Sequence, residues 1–301
     1  DGADKYIDAT GLNTDEDILK AVDKYNIFGR VTPQQKKKIV NALQEKGHTV
    51  AMTGDGVNDV LALKEADCSI AMAEGSDAAR NVSQLVLLDS DFSSMIEVVK
   101  EGRRSINNIQ RSSSLFLVKT MYSFLLAVIF MFLEAQYPFM PIQLTLTSVL
   151  TIGIPSFILA LEPNHDIVKG HFFSNVLRKA VPGALTIVLN IILIMTLRDI
   201  FSISAPQVST ISVLLTGFSG MMLLFQVCRP FNILRRVLFY GMCLGFVIAF
   251  IFFKDLFSLS DLTFNMILIS GVLMFIALVF FKLMTFLFDD FNFFYRKVEN
   301  N

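Results

Sequence analysis

Thr53-Gly54-Asp55-Gly56-Val57-Asn58-Asp59 is the stretch that decides the fold of this chain. It follows a short apolar run at residues 49–52 and precedes a helix-forming run at 60–66. We therefore expect it on the loop at the carboxyl end of a strand, where open α/β sheets build their sites. Its two glycines allow a sharp turn and a close approach to a ligand. Its carboxylates and amide can hold a hard cation, although Asp-Gly and Asn-Asp pairs also occur in plain turns.

The pattern around this stretch predicts a small α/β unit over residues 1–90. Thr32 is a suitable N-cap and Pro33 suits the first helical position. Short apolar runs alternate with helical patterns, which is typical of a parallel sheet with short crossovers. The predicted strands are 26–31, 49–53, 69–72 and 85–88, and the predicted helices are 15–24, 33–46, 60–66 and 76–83.

The rest of the chain has the composition of a membrane protein. Hydrophobic residues make up 53% and charged residues only 18% of the sequence, against about 25% charged in soluble domains. Six apolar runs approach the roughly 20 residues that a bilayer requires. These runs are 115–133, 142–161, 181–197, 208–227, 237–253 and 264–288. The three cysteines show neither a disulfide framework nor zinc spacing.

Basic residues divide unequally between the loops that join these spans. Eight lie on the side of the α/β unit: Lys169, Arg178, Lys179, Arg229, Arg235, Arg236, Arg296 and Lys297. Only Arg198 and Lys254 lie on the other side. The positive-inside rule therefore predicts that the α/β unit and the C-terminus are cytoplasmic. The aromatic run 291–295 is expected to be an interfacial anchor.

An amphipathic pattern at residues 92–114 continues into the first span without a break. A single helix over 92–133 would be about 60 Å long and would act as a stalk. The alternative is two helices with a hinge at Ser112-Ser113-Ser114, because serine has a low helix propensity.

The second span combines helix breakers with hydroxyl groups. Gly153 and Pro155 interrupt it near Ser148 and Thr151, and unwound backbone at mid-membrane is a common way to build a transport site. The alternative is that these hydroxyls only bond backward within the helix. Lys119, inside the first span, is a functional candidate by default, the alternative being that it snorkels to the surface. Glu134 and Glu162, at span ends, are expected at the membrane interface.

The motifs together resemble those of P-type ATPases. The 53–59 stretch, followed by A-L-K at 62–64 and I-A-M at 70–72, is similar to the hinge motif of that family. R-V-T-P-Q-Q-K at 30–36 resembles the box that ends in a phosphate-binding lysine. G-R-R at 102–104 and N-N at 107–108 resemble the stalk. Six spans after the hinge favour the branch of calcium, sodium and proton pumps.

The resemblance implies a fold and a set of roles. The fold is a partial, haloacid-dehalogenase-like phosphorylation domain with a Rossmann-type parallel sheet, followed by an all-α bundle of six transmembrane helices. Its parts would be the domain (1–90), stalk (91–114), spans (115–290) and cytoplasmic tail (291–301). ATP would be the substrate, and Mg²⁺ would be held by Asp55 and Asp59. The other implied residues are Lys36 and Asn58 in catalysis and Thr53, Gly54 and Gly56 in the phosphate-contacting loop.

The transport positions depart from the calcium-pump pattern. Where that pattern has carboxylates and amides, this chain has Thr120, Ser123, Ser148 and Ile152, and only Thr151 is retained. A calcium site of six to eight oxygen ligands is therefore not expected in its usual form. Lys119 matches a lysine of gastric proton pumps and lipid flippases. The candidate transport site is Lys119, Thr120, Ser123, Ser148, Thr151 and Pro155.

The D-K-T-G motif that carries the family's phosphorylated aspartate is absent from this sequence. The nucleotide-binding domain, the actuator domain and the first four helices are absent too. The chain is therefore expected to be inactive alone and to need that N-terminal half as its partner. The favoured hypothesis is a cation pump of the plasma membrane. A lipid or organic-substrate flippase and a non-catalytic membrane fragment are the alternatives. No nucleic-acid partner is expected.

Overall fold

The computed structural model describes residues 4–133 and 135–299, with side chains described as far as Asp289. The chain divides into two compact units, residues 1–99 and 100–301. Glu134 and the side chains of the aromatic run 291–295 lie outside the described part.

The first unit contains two parallel sheets. The first pairs β1 with β2, and the second has the order β3-β4-β5. Parallel pairing is therefore confirmed, but the strands are shorter than predicted, and β2 pairs with the additional strand β1 in a sheet of its own. The strands are β1 (Tyr6–Asp8), β2 (Ile27–Gly29), β3 (Ala51–Gly54), β4 (Cys68–Met72) and β5 (Leu85–Leu87).

The helices of the first unit begin at residues whose side chains cap them. Thr14 and Asp17 form a capping box on α1, and Thr32 and Gln35 form one on α2. Each box satisfies two backbone N–H groups that the first turn leaves without partners. Gly47, with a φ of +83°, follows the end of α2. The helices are α1 (Asp15–Lys24), α2 (Pro33–Glu45), α3 (Val60–Glu65) and α4 (Asp77–Val82).

The core of the first unit lies between its helices and sheets. Ile18 and Ala42 bring α1 and α2 together, while Val40 and Ala62 join α2 to α3. Leu63 packs with Ala71 of β4 and Ala79 of α4. These contacts fix α2 and α3 on either side of the loop that follows β3.

The second unit contains six helical segments that are long and apolar enough to cross a membrane, and the second of them, Pro141–Ala160, comprises two of the helices given below. We describe the protein as a multi-pass membrane protein on this basis. In the described chain, the helices are α5 (Met95–Phe132), α6 (Pro141–Ser148), α7 (Ile154–Ala160), α8 (Phe172–Ile200), α9 (Ala205–Val227), α10 (Ile233–Phe252) and α11 (Phe264–Glu299).

Helix α5 confirms the continuous helix predicted for the first span. It extends over 38 residues, or about 57 Å at 1.5 Å per residue. The three serines at 112–114 do not form a hinge. The Ser114 hydroxyl donates to the carbonyl of Gln110, 2.8 Å away, so its polar group is satisfied within the helix.

The second span is distorted where its sequence predicts a break, but its backbone stays helical from Pro141 to Ala160. Helices α6 and α7 are joined by a π-helical turn, Val149–Gly153, in which the Ile154 N–H bonds to the Val149 carbonyl. Pro155 has no N–H to give to the carbonyls of the preceding turn. A π turn of this kind inside a helix is frequent at functional sites.

Helix α9 is the most deeply buried of the six spans. It carries buried hydroxyl groups at Ser209, Thr210, Ser212, Thr216 and Ser219. Two of these hydroxyls form hydrogen bonds with residues of earlier helices. The Ser209 hydroxyl donates to Gln143 Oε1 of α6 at 2.7 Å, and Ser219 Oγ accepts from Asn190 Nδ2 of α8 at 3.3 Å. The polar groups of α9 therefore lie against protein.

Candidate active site on the β3 loop

The motif stretch lies where the sequence predicts it, at the carboxyl end of a parallel strand. β3 ends at Gly54, a 3₁₀ turn covers Val57–Asp59, and α3 begins at Val60. A Cβ atom on Gly54 would lie 2.5 Å from the Cβ of Asp59. Only glycine therefore lets the loop fold back closely enough to place the Asp59 side chain against the strand end.

A second loop, after β4, packs against the backbone of Asp55 in the motif. The Ser76 N–H donates to the Asp55 carbonyl at 2.7 Å. A Cβ atom on Gly75 would lie 2.6 Å from the same oxygen, and a backbone atom cannot move aside cheaply. Gly75 and Ser76 therefore fix the backbone that carries Asp55. The sequence prediction missed both residues, although Gly75 and Ser76 directly before a helix were a detectable turn signal.

Lys36 and Asp59 meet at the centre of this site. Lys36 Nζ lies 2.5 Å from Asp59 Oδ1, and the other carboxylate oxygen accepts the Gly56 N–H at 3.3 Å. Asp59 is buried, whereas the Lys36 side chain is 35% exposed. The two residues come from α2 and from the β3 loop, so this ion pair joins the two motifs that the sequence singles out.

The environment of Asp59 keeps its carboxylate charged. Burial alone raises the pKa of Asp59, but the hydrogen bonds from Lys36 and Gly56 outweigh it and hold the pKa below its ordinary value. A carboxylate with a depressed pKa contributes stability above its unfolded pKa and loses it as the pH falls.

Asp55 and Asn58 differ from Asp59 because their side chains are exposed and unengaged. Within the described chain, neither side chain has a hydrogen-bond or ion-pair partner, so both are available to a ligand. Mg²⁺ usually takes one or two carboxylates and completes its shell with water and substrate phosphate. The residues fit that ion with Asp55 as the ligand, since both oxygens of Asp59 already accept hydrogen bonds. Among the described residues, no group of three or more acidic, Cys or His side chains forms a closed metal cage.

Replacing Lys36 with methionine should destabilise the protein by an amount that depends on pH, because Asp59 would then be buried without its cation. Without the lysine, burial raises the pKa of Asp59 above its unfolded value, so the charged form becomes destabilising as the pH rises. We expect the melting temperature to fall more at pH 7.5 than at pH 5. The control is Lys38→Met on the same helix, whose pair with Asp15 is exposed and contributes little. An equal deficit at both pH values would contradict the role given to Lys36.

Three hydroxyls of the candidate transport site bond backward within their own helices. Ser148 and Thr151 donate to the carbonyls four residues earlier at 2.6 and 2.7 Å. Thr120 does the same at 3.4 Å. A hydroxyl that donates backward keeps its lone pairs, so these oxygens can still accept a hydrogen bond or ligate a cation.

Thr151 is buried within the π turn and Pro155 is buried just after it, whereas the residues from α5 are less enclosed. A Cβ atom on Gly220 of α9 would lie 2.8 Å from the Thr151 methyl group, so α9 packs closely against the π turn. Lys119 and Ser123 are half-buried and Thr120 is exposed. Lys119 pairs with no carboxylate in the described part of the chain.

Glu162, just after α7, is enclosed by protein. It is 3% exposed. Its Oε2 accepts a hydrogen bond from Arg111 Nη1 at 2.8 Å and one from Arg235 Nε at 2.9 Å. Asn232 Nδ2 donates to its other oxygen at 2.6 Å. Helix α5, the segment after α7 and helix α10 therefore meet at one buried carboxylate. The prediction missed this cluster because the two arginines are distant in sequence.

Comparison with known proteins agrees with both units. A family model described as haloacid dehalogenase-like hydrolase matches residues 2–67. The chain is 40% identical over 288 residues to a probable cation-transporting ATPase of Streptococcus pneumoniae, covering 92% of this chain and 37% of that protein. It is 41% identical over 249 residues to the calcium-transporting ATPase CtpE of Mycolicibacterium smegmatis, covering 78% of this chain and 32% of that protein.

A more distant relative is named as P-type. The P-type sodium-transporting ATPase4 of Toxoplasma gondii is 34% identical over 177 residues, covering 55% of this chain and 13% of that protein. The chain thus spans about a third of the length of the first two relatives and less of the third. With the hinge motif at the end of a parallel strand and six apolar helices after it, the chain belongs to the P-type ATPase family.

Proposed function

We propose that this chain is part of an ATP-driven cation transporter that works through an aspartyl-phosphate intermediate. The observation that carries the proposal is the unengaged carboxylate of Asp55 on the β3 loop, beside the Lys36–Asp59 ion pair. One carboxylate free for a ligand and one fixed cation within the same site suit phosphoryl transfer, in which positioning and electrostatics do most of the work.

The residues of this chain would hold the phosphoryl group but not receive it. A carboxylate outside this chain would attack the γ-phosphorus of ATP, ADP would leave, and water would later cleave the acyl phosphate. Bound Mg²⁺ would neutralise the phosphoryl oxygens. Lys36 would add a fixed positive charge, Asn58 would donate to a phosphoryl oxygen, and Asp59 would hold Lys36 in place. Thr53, Gly54 and Gly56 would form the backbone that faces the phosphate.

The partner segments in this proposal are a nucleotide-binding domain, an actuator domain and four further membrane helices. The excess of basic residues in the loops on the side of the α/β unit supports a cytoplasmic location for that unit. The continuous α5 supports mechanical coupling, because one helix extends from residue 95 to residue 132. We propose the plasma membrane as the location.

The second span, with its π turn, is the proposed path for the cation. The π turn and Pro155 together leave carbonyl groups of residues 150–151 without the usual helical donor. The hydroxyl oxygens of Ser148 and Thr151 lie in the same segment, and neutral oxygens of this kind ligate cations inside membranes. Lys119 would act as a tethered internal cation that competes with the transported one.

Replacing Lys119 with alanine should change the cation dependence of ATP hydrolysis by the full-length protein. Removing a charge from a poorly hydrated site should shift the half-maximal cation concentration at least about tenfold. The measurement is ATPase activity over pH and concentrations of K⁺, Na⁺, Ca²⁺ and Mg²⁺, with phospholipids as a separate arm. Lys119→Arg, which keeps the charge, should behave more like the wild type.

The outcomes of that assay separate the hypotheses. Stimulation by one cation, altered in Lys119→Ala, supports a cation pump with Lys119 in its site. Stimulation by a phospholipid alone would replace the pump with a flippase. Identical profiles for the wild type and Lys119→Ala would remove Lys119 from the transport site.

A further inference from the structure

We propose that the groove between α9, α10 and α11 is a binding site for one anionic glycerophospholipid, with its acyl chains along the groove and its phosphate at the basic end. The groove has a volume of about 760 Å³ and lies entirely within the second unit.

The groove changes character along its length. One end is apolar and is lined by residues such as Leu214, Val247 and Met274. The other end contains Gln226, Arg229 and Lys282. A uniform lipid-facing surface has no such polarity, whereas a phospholipid has an apolar body and one charged end.

The dimensions match one leaflet of a bilayer. Leu214 and Gln226 line the groove twelve residues apart on α9, which is about 18 Å along the helix. Half of the hydrocarbon core is about 15 Å thick. Acyl chains of one leaflet therefore fill the apolar part and bring the phosphate to the level of Arg229 and Lys282.

The polar end presents two exposed cations and one buried amide oxygen that fit such a headgroup. In the described part of the chain, neither Arg229 nor Lys282 forms an ion pair. The Arg229 guanidinium lies over the Phe225 ring, 4.6 Å from its centroid, so it is held at the groove. Gln226 Oε1 is buried without a described hydrogen-bond partner. Phosphate satisfies the two cations, and a headgroup hydroxyl or ammonium satisfies the amide oxygen.

The carboxylate at this end does not oppose the assignment. Asp289 also lines the groove, but its Oδ1 lies 3.2 Å from Arg178 Nε. Among the described side chains at this end, Arg178, Arg229 and Lys282 are three cations against the one anion Asp289. This excess of positive charge favours an anionic headgroup over a zwitterionic one.

The test is native mass spectrometry of the full-length protein in detergent, with phosphatidylglycerol and phosphatidylcholine of equal chain length. The wild type should bind phosphatidylglycerol more tightly. Arg229→Gln with Lys282→Gln should lose roughly 30-fold in affinity, the loss expected for two basic groups near a headgroup. The matched control is Lys169→Gln with Arg236→Gln, which removes the same charge from exposed residues outside the groove and should change the affinity less than threefold.

A second variant tests the acyl part. Leu278→Trp fills the groove without changing charge, and it should weaken phosphatidylglycerol binding at least about tenfold. Equal affinity for the two lipids, an equal loss in the surface control, or unchanged binding in Leu278→Trp would each overturn the proposal. sn-Glycerol 3-phosphate should not displace the lipid at equal concentration, and full displacement would show that the acyl chains contribute nothing. No nucleotide or transported cation enters this measurement, so its outcome is independent of the transport proposal.

Discussion

Asp55→Asn in the full-length protein should reduce phosphoenzyme formation from ATP by at least about 1,000-fold, the loss expected when a site can no longer hold its metal ion against the phosphoryl oxygens. Asparagine has the same shape as aspartate, and the contacts to Ser76 and Gly75 involve only backbone atoms of residue 55. The loop should therefore keep its structure and lose only the negative charge. Acid-stable incorporation of labelled phosphate measures the effect.

The control for this change is Glu74→Gln. Glu74 is an exposed carboxylate on the supporting loop, so this variant removes the same charge nearby without touching the β3 loop. We expect its phosphoenzyme level to stay within about twofold of the wild type, because the charge of an exposed carboxylate is screened by solvent. Normal phosphoenzyme in Asp55→Asn would refute the assignment of the site.

Glu162→Gln should lower the stability of the second unit by about 3–5 kcal/mol, the usual cost of breaking a buried ion pair by removing one partner. The variant leaves Arg111 and Arg235 buried with no anion between them. For a unit of this size the loss corresponds to roughly 6–20 °C in melting temperature, which thermal unfolding in detergent can measure.

Two controls test whether the loss of stability comes from leaving the two arginines buried without an anion. Glu101→Gln removes an exposed carboxylate that pairs with Arg104 and should have an effect below about 1 kcal/mol. Replacing Arg111, Glu162 and Arg235 together with methionine, leucine and methionine should recover most of the stability, because a packed apolar cluster can replace a buried charged one. A stable Glu162→Gln protein would mean that water reaches the two arginines.

Local sequence signals predicted much of the first unit. The Thr32 cap with Pro33 after it and the short β-rich runs around the motif are encoded within a few residues. They gave the helices, the parallel sheet and the position of the β3 loop correctly. The location of the distortion in the second span was predictable for the same reason, because Gly153 and Pro155 act on their own backbone, but the helix there is not unwound.

Contacts between distant segments were not predictable in this way. β1 is three residues long and depends on pairing with β2, so its own pattern is too short to be recognised. The support that Gly75 gives to Asp55 depends on how two loops meet after the sheet has formed. Glu162 is opposite Arg111 and Arg235, which lie 51 and 73 residues away, and nothing in a single sequence pairs such charges.

The position of α9 has a consequence for the biogenesis of the bundle. Chains fold from the N-terminal side during synthesis, so α6 and α8 are in place when α9 enters the bilayer, whereas α10 and α11 are not. The hydroxyl of Ser209 and that of Ser219 meet partners on α6 and α8, and the apolar side chains of the groove face the two later helices. The order of synthesis thus gives α9 protein partners for these polar groups first and leaves lipid against its apolar face until translation is complete.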